Sequence, residues 1–229
     1  MKCQILYISL FFVLIGAIKL KAQPSASLYF TTAFPVGEFQ DYIGNTGFGA
    51  SSELFFFSPS EKVPYGLGLN FSFVSYGMYF GVDQYTDELG LSYNKANNFA
   101  SVHLLFQIAP HAGSIRPYVE TLFGGSYIFS HTDFIVDYCC PPVTMWLDDW
   151  AWSYGAGFGL KFLSVGDAFL NHGSLYIDLK VRYLLSSSTE YLDRSSVVLY
   201  YDTLEYSTFE SKTDMITASI GLYLSLIHI

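Results

Sequence analysis

Positive charge is scarce in this 229-residue chain: Lys and Arg total 11 against 20 Asp and Glu, for a net charge of −9 at pH 7. That excludes a nucleic-acid binder, which works through a basic patch or stripe. Charge of either sign is low, at 14% of residues against about a quarter in soluble domains. Beyond the N-terminal twenty residues no stretch reaches the roughly 18 apolar residues of a transmembrane helix. What the chain has in abundance is apolar and aromatic: 51% hydrophobic, with 19 Tyr and 21 Phe. Disorder requires the reverse composition.

The N-terminus reads as an export signal. Met1-Lys2 is a short positive start, Ile5 to Ile18 is apolar, and Lys19-Leu20-Lys21-Ala22-Gln23 follows. An apolar stretch of 14 residues covers only about 21 Å as a helix, short of the roughly 30 Å bilayer core. Cleavage is expected after Ala22, making residues 1–22 a signal peptide and 23–229 one domain. Loss of Lys2, Lys19 and Lys21 would take the net charge from −9 to −12. Cys3 precedes the apolar stretch and is not placed as a lipoprotein cysteine.

A chain this apolar without a long apolar run can still span a bilayer as a closed β-barrel, whose backbone groups are all paired between strands. The periodicity fits. In the last segment Ile216, Ala218, Ile220, Leu222 and Leu224 alternate with Thr217, Ser219, Gly221, Tyr223 and Ser225. Leu175, Ile177, Leu179, Val181 and Tyr183 alternate with Ser174, Tyr176, Asp178, Lys180 and Arg182. A helix would place Leu175, Leu179 and Arg182 on one face, so period 2 is the correct reading. Eight such segments are predicted: Ala26–Pro35, Gly47–Phe57, Tyr65–Met78, Asn98–Ala109, Pro117–Ser130, Ala151–Leu163, Gly173–Leu185 and Thr213–Leu226. Ten strands is the alternative count. One face of each segment is apolar, as in Val102, Leu104, Phe106 and Ile108; the other is small or polar, as in Ser101, His103 and Gln107. With so few charges available for an outer face, the apolar face is the expected exterior, so the all-β fold expected is an inside-out, up-and-down antiparallel barrel.

The connections alternate in length. Ser58–Pro64, Pro110–Arg116 and Ser164–His172 are short and carry turn-forming Pro and Gly; Val36–Thr46, Tyr79–Asn97, His131–Trp150 and Ser186–Lys212 are mostly longer. Short turns are expected in the periplasm and long loops outside, with both termini periplasmic. Val198-Leu199-Tyr200-Tyr201 in the last loop suits either a contact surface or a hairpin prolonging strands seven and eight. Tyr65, Tyr76, Tyr118, Trp150 and Trp152 near the strand ends are expected in interfacial aromatic girdles.

Certain segments resemble a known family. Phe34-Pro35-Val36-Gly37-Glu38-Phe39 after the first strand, Gly47-Phe48-Gly49 opening the second, and Ser219-Ile220-Gly221-Leu222-Tyr223-Leu224-Ser225-Leu226 closing the last are similar to the small outer-membrane β-barrels of Gram-negative bacteria. That group includes the transmembrane domain of outer-membrane protein A. The resemblance covers nearly all of residues 23–229. It implies an eight-stranded barrel in the outer membrane, in contact with lipids and lipopolysaccharide. It also implies that Gly221, Tyr223, Leu224 and Leu226 form an assembly signal read by the barrel-insertion machinery. Family members often end on Phe or Trp, whereas this chain runs on to Ile227-His228-Ile229. No peptidoglycan-binding domain is expected after the barrel, and that anchoring role is not part of what the resemblance implies.

Catalytic motifs are missing: there is no Gly-x-Ser-x-Gly, His-Glu-x-x-His or phosphate loop. His103 is the one histidine on a lumen-type position and reads as a polar filler, so no catalytic residue and no enzymatic activity is expected. Cys139-Cys140, followed by Pro141-Pro142, is a candidate disulfide in a compartment that permits oxidation; the simpler reading is a stiffened loop. No metal motif is present and no cofactor is expected, although acidic loops rich in carboxylates, such as Asp148-Asp149, can hold a divalent cation or face a basic surface partner.

Six charged residues fall on inward positions: Glu53, Glu120 and Asp178 against Lys161, Lys180 and Arg182. Three of each sign sum to zero, as a confined interior demands, because an unpaired ion there costs several kcal/mol. Glu120 is expected to pair with Lys161, and Glu53 to reach the Lys180 and Arg182 region, with Gly155, Gly157 and Gly159 leaving room. Such a plug favours a non-enzymatic structural or surface-contact role. A narrow solute channel or an accessory barrel of a secretion system is the alternative; eight strands enclose an interior that side chains fill.

Overall fold

The computed structural model describes residues 24–82, 92–135, 143–165, 173–192, 198–200, 203–205 and 208–226. Eight strands form the wall: β1 Ser25–Pro35, β2 Gly47–Phe57, β3 Tyr65–Val82, β4 Ser92–Ile108, β5 Ile115–Ile135, β6 Val143–Val165, β7 Gly173–Ser186 and β12 Met215–Leu226. Each pairs antiparallel with its chain neighbour, and β1 pairs with β12 from Ser25↔Ser225 to Pro35↔Met215, closing the barrel. Closure leaves no unpaired edge, which is what allows strands to lie in a medium without water.

Each of the eight expected strands starts or ends within two residues of its periodic segment, because turn chemistry bounds it. Four of them, β3 to β6, run on at the other end, β5 and β6 being the longest. β5 has 21 residues and β6 has 23, whereas about 9–11 cross a bilayer. Their pairing runs on to Phe134↔Val143, so this hairpin projects past the membrane span at the loop end. β3 and β4 continue likewise to Val82↔Ser92 across a register shift between Tyr76 and Tyr79. Alternating hydrophobicity marks only the lipid-facing part of a strand, so a hairpin continuing into water looks like a loop in the sequence.

The segment Ser186–Lys212 also contains strands. β8 (Ser188–Leu192) pairs with β11 (Thr208–Lys212), and β9 (Val198–Tyr200) with β10 (Thr203–Glu205), an extension of the β7–β12 hairpin. β12 begins at Met215 rather than Thr213. Thr213 N–H donates to Ser186 Oγ (2.6 Å) and Ser186 N–H to Asp214 Oδ1 (2.9 Å), so side chains replace the ladder there.

The connection Val36–Thr46 contains a short helix, α1 (Glu38–Ile43). Gly37 and Gly44 flank it with φ of 61° and 63°, and Gly44 N–H donates to Gln40 O (2.8 Å) as a left-handed C-cap. Glu38 and Asp41 lie in its first turn, where the helix dipole favours negative charge. Phe39 and Ile43, four residues apart, are buried on one face. Phe39 packs edge-on against Tyr76 (5.4 Å), whose hydroxyl donates to Met215 Sδ (3.3 Å). α1 thereby closes the loop end of the barrel with an apolar layer that includes Val74, Phe99 and Ile128.

Candidate functional site

The interior of the barrel is where charge is buried. Inward positions of β2, β5, β6 and β7 carry Glu53, Glu120, Lys161, Asp178, Lys180 and Arg182, none more than 4% exposed. Glu53 is the hub. Its Oε1 accepts from Lys180 Nζ (2.5 Å) and from Arg182 Nη2. Arg182 Nε donates to Glu120 Oε1 (2.6 Å), so one guanidinium joins two carboxylates. Its planar fork suits such a bridge better than an ammonium would. Asp178 makes no direct ion pair among the described residues; it accepts from Tyr118 OH (2.7 Å), and the Tyr29 hydroxyl lies 2.9 Å away. The same Tyr29 hydroxyl is 3.0 Å from Glu53 Oε2 and holds one proton to share between the two carboxylates.

The expected Glu120–Lys161 ion pair does not form. Lys161 Nζ donates to Gln107 Oε1 (2.8 Å), and Gln107 Nε2 donates to Glu120 Oε2 (3.3 Å), so an amide stands between the charges. The cause is the stagger of the strands: Glu120 lies opposite Gly157, whereas Lys161 lies opposite Arg116, four residues closer to the turn. Lys161 instead sits over aromatic faces, 3.7 Å from the Tyr223 centroid, 4.7 Å from Tyr118 and 5.5 Å from Phe55, within cation–π range. Lys180 likewise lies 3.5 Å over Tyr29. The glycines of β6 do make room: a Cβ on Gly157 would fall 2.7 Å from Arg182 Cγ, and one on Gly159 would run into the Tyr118 ring.

Tyr76 and Tyr118 do not stand in a girdle. They are 2% and 4% exposed and face inward, while Tyr65, Trp150 and Trp152 face outward. Parity explains it: Tyr118 is two residues from Glu120 and therefore shares its face. Tyr29, Gln107 and Tyr118 are the network members that charge alone could not pick out. Their signal was placement on the charged face.

Outside, the polarity inverts. Leu28, Phe30, Phe123, Trp152, Phe158, Ile220 and Leu222 are each more than half exposed, while Ser51, Asn70, Gln107 and Ser126 are buried within. An exterior this apolar around a charged interior fits hydrocarbon as the surrounding medium. The protein is an eight-stranded barrel of the outer-membrane type. No family model matches the chain, and no curated protein matches it. Among solved structures, the chain is similar to neisserial surface protein A, at 9% identity over 90% of this chain and 96% of that one, with a TM-score of 0.36. It is also similar to the N-terminal β-barrel domain of Pseudomonas aeruginosa OprF, at 13% identity over 90% and 100% of the two chains and a TM-score of 0.34. A major outer membrane protein from Thermus thermophilus matches at 13% identity over 88% and 99%, with a TM-score of 0.42.

The remaining sequence candidates distribute as follows. His103 Nε2 and Ser153 Oγ lie 3.0 Å apart in the barrel interior, and His103 Nδ1 has no hydrogen-bond partner among the described residues, so no acid orients this pair. Cys139 and Cys140 lie outside the described residues. Several loop-end carboxylates are already engaged: Asp148 accepts from Tyr127 OH (2.6 Å), and Asp149 accepts from the backbone N–H of Trp150 (2.7 Å) and Glu190 (2.8 Å). Among the described residues no three His, Cys, Asp or Glu side chains converge as a metal site. At the β12 seam, Gly221 lies beside Tyr29, where a Cβ would fall 2.5 Å from Tyr29 Cδ1. Tyr223 is buried and donates to Ser58 Oγ (3.3 Å). Leu224 is half-buried, and Leu226 ends the strand.

Proposed function

We propose that this barrel is a sealed, non-enzymatic component of the outer membrane, serving it structurally and through surface contacts. The observation that carries this reading is the lumen network: Glu53, Lys180, Arg182 and Glu120 join across the bore through ion pairs, with Tyr29 and Gln107 completing their shells. A solute would have to separate buried ion pairs to pass, and an uncompensated buried charge is costly. The apolar layer under α1 is a second barrier.

The chain is oriented with its short turns and both termini in the periplasm and its longer hairpins outside, which the asymmetry of the connections supports. Outward aromatic and aliphatic side chains contact lipids, and the loop end meets lipopolysaccharide or a surface protein. Gly221, Tyr223, Leu224 and Leu226 on the closing strand serve recognition by the barrel-assembly machinery. Planar-bilayer recording tests the seal. The purified, refolded protein is expected to give no stable conductance steps; a reproducible channel of porin size would replace this reading with transport.

A further inference from the structure

At the turn end the barrel opens on a cavity of about 310 Å³, between the β2–β3 and β4–β5 turns. Arg116 on β5 and Lys161 on β6 line it together, and they are direct partners in the strand register. Like charges placed opposite each other are destabilising, so such a pair calls for an anion nearby. Among the described residues none is in contact with either side chain. Neither residue makes an ion pair among the described residues: Lys161 has the Gln107 amide and aromatic faces, and Arg116 has Gly113 O (3.4 Å) and the Tyr176 ring (4.4 Å). The rest of the lumen behaves differently, with Lys180 and Arg182 both held directly on carboxylates. Ser60 and Ser225 add hydroxyl donors to the cavity wall, and among the described residues Glu61 is its one carboxylate.

We propose that this cavity is a binding site for a small phosphate-bearing molecule, with the phosphate seated between Arg116 and Lys161. A guanidinium fork and an ammonium satisfy several oxygens of one tetrahedral oxyanion, and the serines complete the shell. The remaining volume accommodates a glycerol- or sugar-sized remainder. The site lies on the turn side of the seal, to which Lys161 is joined through Gln107.

Two arms test the proposal on the folded protein in non-ionic detergent: titration calorimetry with sn-glycerol 3-phosphate, and with a short-chain phosphatidylglycerol. Saturable one-to-one binding in the first arm marks a soluble metabolite; in the second alone, a lipid headgroup. Either binding is expected to weaken about tenfold or more in Arg116→Gln, the worth of one charge-assisted contact, and to survive in Lys62→Gln on the neighbouring turn. Should Arg116→Gln fold poorly, Ser60→Ala with Ser225→Ala provides the second comparison and is also expected to weaken binding. No saturation in either arm, or equal affinity in all folded variants, overturns the site.

Discussion

Single side chains in this lumen matter by how many partners they serve. Among the described residues Glu53 and Arg182 each serve two charged partners, and Lys161 serves none directly. Replacing Glu120 by Ala strips Arg182 of one carboxylate and is expected to destabilise the barrel by about 3–5 kcal/mol. A double-mutant cycle places the coupling. Glu120→Ala combined with Arg182→Met should show an interaction energy of about 1–3 kcal/mol, and Glu120→Ala with Lys161→Met distinctly less, since Gln107 separates that pair. Urea unfolding from lipid vesicles, followed by tryptophan fluorescence, measures both. Equal coupling in the two cycles would mean that Glu120 leans on Lys161 as much as on Arg182, and would contradict the direct Glu120–Arg182 pair. The six charges were legible in the sequence because each sits on the small, polar face of its strand. Their pairing was not. Which residues share a height depends on strand tilt and stagger, and a single strand's alternation holds no information about either.

At the scale of elements, alternation and turn residues located all eight wall strands, and Gly47–Phe57 was bounded at both ends. The misses share one cause. β8 to β11 and the outer parts of β3 to β6 pair beyond the lipid, where neither face must be apolar, so backbone hydrogen bonding continues without a sequence pattern. α1 was hidden for another reason: six residues carry little periodicity, and its signal was only Phe39 and Ile43 four apart between two glycines. That helix is held mainly by its buried face, because a helix this short is marginal alone. Phe39→Ala is therefore expected to cost about 3–5 kcal/mol locally and to speed cleavage after Glu38 by a glutamate-specific protease acting on the folded barrel. Gln40→Ala, on the exposed side, should leave that rate unchanged. Equal rates in both variants would show that α1 is not anchored through Phe39.

For the molecule as a whole, the central claim is the inversion of polarity: a charged, packed interior inside an apolar wall facing hydrocarbon. The chain has three tryptophans; Trp150 and Trp152, 53% and 59% exposed, stand on the outer wall at the edge of the span, whereas Trp146 lies on the projecting part of β6 and is replaced by Phe for this measurement. The most direct measurement reconstitutes the protein in vesicles of phospholipids brominated along their acyl chains and reads the intrinsic fluorescence. The account predicts strong quenching relative to unbrominated vesicles, greatest with bromine near the interface, and weak quenching by aqueous iodide. Fluorescence indifferent to the brominated chains but quenched by iodide would place these side chains in water and contradict the inside-out barrel.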